Sequence, residues 1–105
     1  MVNLKKVILT PDGKEHKQTT IDENEKTVEI KIDLKKSVVD ALLHAPIVSD
    51  DYVSENVNRY EMYMNIKDVE EVQFVDKQLE LLCKLVARRY DIFYAGQIIK
   101  MLKEI

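Results

Sequence analysis

Thr10-Pro11-Asp12-Gly13-Lys14 obliges this chain to reverse direction near its start. Pro11 presets the first turn angle, Asp12 can bond neighbouring backbone, and Gly13 can take a positive φ. The apolar run Val7-Ile8-Leu9 precedes the turn, so residues 4–10 read as a strand and the turn as a hairpin. A β region therefore opens a chain whose later segments carry a helical period.

Residues 14–21 follow the turn and are mostly polar, which fits an edge strand or a solvated hairpin arm. Asp22-Glu23-Asn24-Glu25 is a second turn signal. Thr27-Val28-Glu29-Ile30-Lys31-Ile32 then alternates, placing Val28, Ile30 and Ile32 on one half-buried face. The polar segment makes a poor middle strand, so the first and third strands are expected to pair.

Helical signals start at Asp33 or Ser37, either of which can cap a helix over 34–44 with Val38, Val39, Ala41, Leu42 and Leu43 apolar. Pro46 ends it. Ser54 reads as the cap of a helix over 54–67, with Glu55 in its first turn and Val57, Tyr60, Tyr63 and Met64 on its inward side. Residues 69–75 lose the helical period and read as extended. Asp76 reads as the cap of a helix over 77–89, with Leu79, Leu82, Cys83, Leu85 and Val86 giving a broad apolar surface. Asp91 caps a last helix over 92–104, where Ile92, Phe93, Ile98, Ile99, Met101 and Leu102 cover more than one face. The predicted class is α+β: an antiparallel unit of two or three strands over 4–32, then three or four helices over 34–105, in one domain.

Composition removes several function classes. The net charge is −3, with 16 basic and 19 acidic residues spread along both halves. Non-specific nucleic-acid binding needs several uncompensated cations, so it is disfavoured. The single cysteine, Cys83, rules out an internal disulfide and fits a reducing compartment. No apolar stretch of signal length follows Met1, and no segment nears the roughly 20 apolar residues of a membrane span. A cytoplasmic protein with no membrane partner is expected.

Chemistry-bearing residues are sparse. His16, His44 and Cys83 fall on three separate elements, too few and too scattered for a zinc site, so no metal and no cofactor are expected. Cys83 sits among leucines and is expected to be buried and inert. Asp50-Asp51 and Glu70-Glu71 read as solvated turn and helix-end carboxylates. The two glycines stand apart at 13 and 96, so no phosphate-cradling loop exists. Catalytic residues are therefore not expected. Lys84, Arg88, Arg89 and Lys100 are the candidate nucleic-acid contacts, with Tyr90 and Tyr94 nearby. Five tyrosines without tryptophan, with several methionines, fit a protein-contact surface. Tyr60, Met62 and Tyr63 on one helix, and Ile99, Met101 and Ile105 at the end of the chain, are the candidate partner-binding residues. The last helix is expected to serve self-association or a partner.

The Asp-Gly hairpin, Ala41-Leu42-Leu43, Arg59-Tyr60-Glu61 leading to Asn65-Ile66, Val72 to Phe74, and Gly96-Gln97-Ile98-Ile99 followed by Met101-Leu102 together carry a resemblance. Over residues 26–105 the chain resembles small bacteriophage and prophage proteins of unassigned function. The resemblance implies a phage accessory protein inside a bacterial host cell, and with no catalytic residues in view a non-enzymatic one is expected. Its work would be to bind a host or phage protein, with inhibition of a CRISPR effector as one form and virion assembly as another. A small nucleic-acid-binding regulator is the alternative.

Overall fold

The computed structural model describes residues 1–105 as an α+β fold with four short strands and four helices. In chain order these are β1 (Val2–Asn3), β2 (Lys17–Ile21), β3 (Thr27–Lys31), α1 (Leu34–His44), α2 (Tyr52–Ile66), β4 (Glu71–Val72), α3 (Asp76–Arg89) and α4 (Ile92–Lys103). β2 pairs antiparallel with β3, and β1 pairs antiparallel with β4.

Both predicted turns form. Gly13 takes φ +82°, its N–H bonds to Thr10 O at 2.9 Å, and Leu9 bridges to Glu15. At the second turn Asp22 accepts the N–H groups of Asn24 and Lys26 on its carboxylate, while Glu25 adopts the left-handed region at φ 61°. The strand pairing differs from expectation. The polar segment β2, not the first apolar run, makes the ladder with β3. Residues 4–10 form no regular strand. Ile8 instead donates to Ile32 O and accepts from His16 N–H at the base of the hairpin, where Val7 bridges Asp33. Every residue of β2 and β3 is exposed, so Val28 and Ile30 do not pack inward as the alternation predicts.

The N-terminal segment finds its partners far along the chain. Val2 pairs with Val72, and Leu4 N–H bonds to Glu70 O at 2.8 Å. It also completes the start of α1. A helix leaves its first N–H groups without intrahelical partners. Here Leu34 donates to Lys6 O, Lys35 to Leu4 O, and Lys36 to the Asp33 carboxylate at 2.8 Å. Asp33, rather than Ser37, is therefore the cap, and Ser37 is buried within the helix.

α1 lies at the centre. Leu34, Val38, Ala41 and Leu42 are buried, and the helix packs against α2 on one side and α3 on another. α3 and α4 form an antiparallel pair joined through Tyr90 and Asp91. Leu82, Leu85 and Val86 from α3 meet Ala95, Ile98 and Leu102 from α4 in one continuous core with Val2, Leu4, Ile8, Met62 and Ile66. Asp91 caps α4 as expected. Two other caps lie elsewhere than predicted. Asp51 caps α2 by accepting from Ser54 N–H, and α3 begins at Asp76 after Val75, whose N–H bonds to the Gln78 side chain at 3.0 Å.

α2 also turns the other way round. Its buried residues are Glu55, Arg59, Met62 and Ile66, while Val57, Tyr60 and Met64 face solvent. Of the expected apolar stripe only Tyr63 packs against the core, and the rest lies on the outer face. No helix is long and apolar enough to cross a membrane.

Candidate functional site

Glu55 and Arg59 sit one turn apart on α2, the spacing at which helical side chains meet. Arg59 Nη1 lies 3.1 Å from Glu55 Oε2, and both side chains are almost fully covered. A buried guanidinium must place its remaining donors. Arg59 Nε donates to Leu42 O at 2.8 Å, and Nη2 donates to Ala45 O at 2.8 Å and Ala41 O at 3.2 Å. These are carbonyls of the end of α1, which carry partial negative charge. Ala41 O also accepts from the Ala45 N–H at 3.0 Å, while Pro46, which has no N–H, leaves Leu42 O without a helical donor. Glu55 accepts the N–H of Val48 in the following loop. Burial pushes the Glu55 carboxyl up, but the Val48 N–H and Arg59 outweigh it and hold the group below its ordinary range. One ion pair thus fastens the end of α1, the loop at 45–48 and α2 together.

That fastening shapes an open groove of about 660 Å³ between α1 and α2. Leu42, Leu43, Ala45, Ile47, Tyr60, Tyr63 and Met64 line it, with Asn56 and Arg59. Tyr60 is 64% exposed and Leu43 54% exposed, and Ile47 and Met64 are also on the surface. A surface concentration of tyrosine, methionine and leucine of this kind is typical of protein contacts.

A second cleft, of about 550 Å³, lies between the hairpin base, α1, α3 and α4. Its polar wall is a closed network. Arg89 grips Asp40 with Nε at 2.8 Å and Nη2 at 3.2 Å, and the Tyr90 hydroxyl sits 2.8 Å from both Asp40 Oδ2 and Ser37 O. Burial raises the Asp40 carboxyl, but Arg89 and Tyr90 prevail and hold it low. Burial, with Asp40 beside it, pushes the Tyr90 hydroxyl well above the usual phenol range. His16 packs against Tyr94 with ring centroids 5.2 Å apart, and His44 stands exposed in the last turn of α1. The groups satisfy one another and tie α1 to the end of α3.

The predicted site residues divide. Tyr60 and Tyr63 share the α1–α2 groove. Met62 does not reach it, because Met62 is buried in the core at 3% exposure. Ile99 and Met101 are half-buried against the core and Ile105 is exposed. In α4, Ala95, Ile98 and Leu102 are covered, while Ile92 is 93% exposed and Phe93 is also on the surface. The cations do not act together. Lys84 is ion-paired with Glu80 at 3.2 Å, and Arg89, although exposed like Arg88, is ion-paired with Asp40. Lys84 and Lys100 line different grooves. Cys83 is half-buried rather than buried, lining a shallow groove between α3 and Lys103. Burial raises its thiol above the ordinary range, with Lys103 opposing. No group of three or more His, Cys, Asp or Glu side chains is placed to hold a metal ion.

Leu42, Leu43, Ala45, Ile47 and Asn56 are groove residues that the sequence reading passed over, as are the organising pair Glu55 and Arg59. The Glu–Arg spacing of four was the available signal. No protein-family model, curated protein or solved structure matches this chain.

Proposed function

We propose that this chain is a non-enzymatic accessory protein of the phage kind that acts in a bacterial cell by binding another protein. The α1–α2 groove is the binding surface, and a segment of the partner bearing apolar side chains is its occupant. One observation carries the reading: Leu43, Ile47, Tyr60 and Met64 are exposed together around one groove. Tyrosine and methionine supply broad, adaptable apolar surface, and an anchor side chain seated in a groove dominates binding energy at many interfaces. Counter-defence, such as blocking a CRISPR effector, and virion assembly both fit a protein that works through such a surface.

The test is capture from phage-infected bacterial extract with wild-type protein, Tyr60→Glu and Ile92→Lys. A partner retained by wild type and Ile92→Lys but lost with Tyr60→Glu supports the groove. A partner held equally by all three contradicts it. Salt-sensitive binding of DNA or RNA that disappears with Arg88→Glu would favour the nucleic-acid regulator instead.

A further inference from the structure

We propose that the free edge of β2 pairs with β2 of a second copy of this chain, building a four-stranded sheet in the order β3-β2-β2-β3 across a two-fold axis at Thr19.

The argument begins with the ladder. Ile32 N–H bonds to His16 O at one end and Asp22 N–H to Lys26 O at the other. Narrow and wide pairs alternate in an antiparallel ladder. The pairs Gln18–Ile30 and Thr20–Val28 therefore turn their backbone groups toward each other. Lys17, Thr19 and Ile21 turn their N–H and C=O groups outward on β2, as do Thr27, Glu29 and Lys31 on β3. The sheet ends at these two edges.

The two edges are not equivalent. On β3, the outward Lys31 O already accepts from Lys36 Nζ at 2.8 Å. Self-pairing of β3 about its centre would also set Glu29 against Glu29 of the second copy, and like charges directly opposite are destabilising. On β2, antiparallel self-pairing about Thr19 sets Thr19 against Thr19, Gln18 against Thr20 and Lys17 against Ile21. No like charges meet, and Thr–Thr is a favourable cross-strand pair. Natural edges are blunted by proline, bulges or inward charges. β2 has no proline, and its one charge, Lys17, lies 3.7 Å from Glu29 of its own hairpin.

The hairpin also gains a reason for its exposure. A lone two-stranded hairpin is marginal in water, whereas three or more strands sharing an apolar face are stable. Pairing through β2 joins the Val28 and Ile30 faces of both copies on one side of a single sheet. The contact is isologous, so it closes at two copies.

Sedimentation of the full chain at high micromolar concentration tests this, using wild type, Thr19→Lys, Thr19→Pro and Glu29→Pro. Thr19→Pro removes an outward N–H and leaves the β2–β3 bonds intact. Thr19→Lys sets like charges across the axis without altering the backbone. The expected result is twice the chain mass for wild type and Glu29→Pro. Both Thr19 variants should run as single chains with unchanged far-ultraviolet circular dichroism, and salt should restore the Thr19→Lys dimer. If Thr19→Pro loses its folded spectrum, Thr19→Lys decides. A wild-type monomer overturns the proposal, and so does a dimer that persists in Thr19→Lys at low salt.

Discussion

Arg59 holds Glu55 at 3.1 Å in the interior and spends its other donors on the carbonyls of Leu42, Ala41 and Ala45. Removing one member of a buried pair strands the other, which is worse than losing both. Arg59→Ala is predicted to destabilise the fold by about 3–5 kcal/mol. Arg59→Met with Glu55→Met should cost less than Arg59→Ala alone. Urea unfolding of wild type and the two variants measures both quantities, and equal losses would sink the pairing.

The same pair sets an acid dependence. The Glu55 carboxyl is held below its ordinary 4.5 in the folded state, so the unfolded chain binds the proton more readily. Its contribution is complete above pH 4.5 and drains away as pH falls through the lower folded value. Asp40 acts in the same direction from its ordinary 3.8. Glu55→Gln should flatten the fall in urea midpoint on acidification. A slope identical to wild type would count against it.

Gln97 is a single side chain acting as a strand partner. Its amide accepts from Leu9 N–H at 2.7 Å and donates to Leu9 O at 3.0 Å, fastening α4 to the N-terminal segment. Gln97→Ala is predicted to cost about 1–2 kcal/mol, since each such bond contributes about 1 kcal/mol. Hydrogen exchange at Leu9 should quicken, and an unchanged rate would show the contact to be idle.

The reach of the sequence follows from what kind of interaction makes each element. The two turns, α1, α3 and α4 rest on local chemistry, namely Gly13, Asp22, Asp33, Asp91 and an apolar period, and they were readable. The β1–β4 pair joins Val2 to Val72, two residues per strand, and leaves no periodic trace. α2 misled because hydrophobicity marks its outer face, while two charges occupy the inner one. The groove was therefore half legible: Tyr60 and Tyr63 stood out, but their α1 neighbours Leu42 and Leu43 read simply as core.

Gly96 lies exposed as the fifth residue of α4, and a methyl group there would meet nothing within 4 Å. Gly96→Ala is predicted to stabilise the fold by about 0.5–1 kcal/mol, because glycine is costly within a helix. Thermal unfolding that moves downward would expose a contact absent from this structure.

Cys83 should label more slowly in the native protein than in denaturant. It is half-covered, and burial holds its thiol above the ordinary value, which depletes the reactive thiolate. Equal rates in both conditions would contradict that placement.

Hydrogen exchange of the protein alone and with its captured partner tests the proposed surface most directly. Binding through the α1–α2 groove predicts slowed exchange at residues 42–47 and 56–64, with the exposed start of α4 around Ile92 unchanged. Slowing confined to α3 and α4 around Lys84, Arg88 and Lys100, with the groove unaffected, would contradict it.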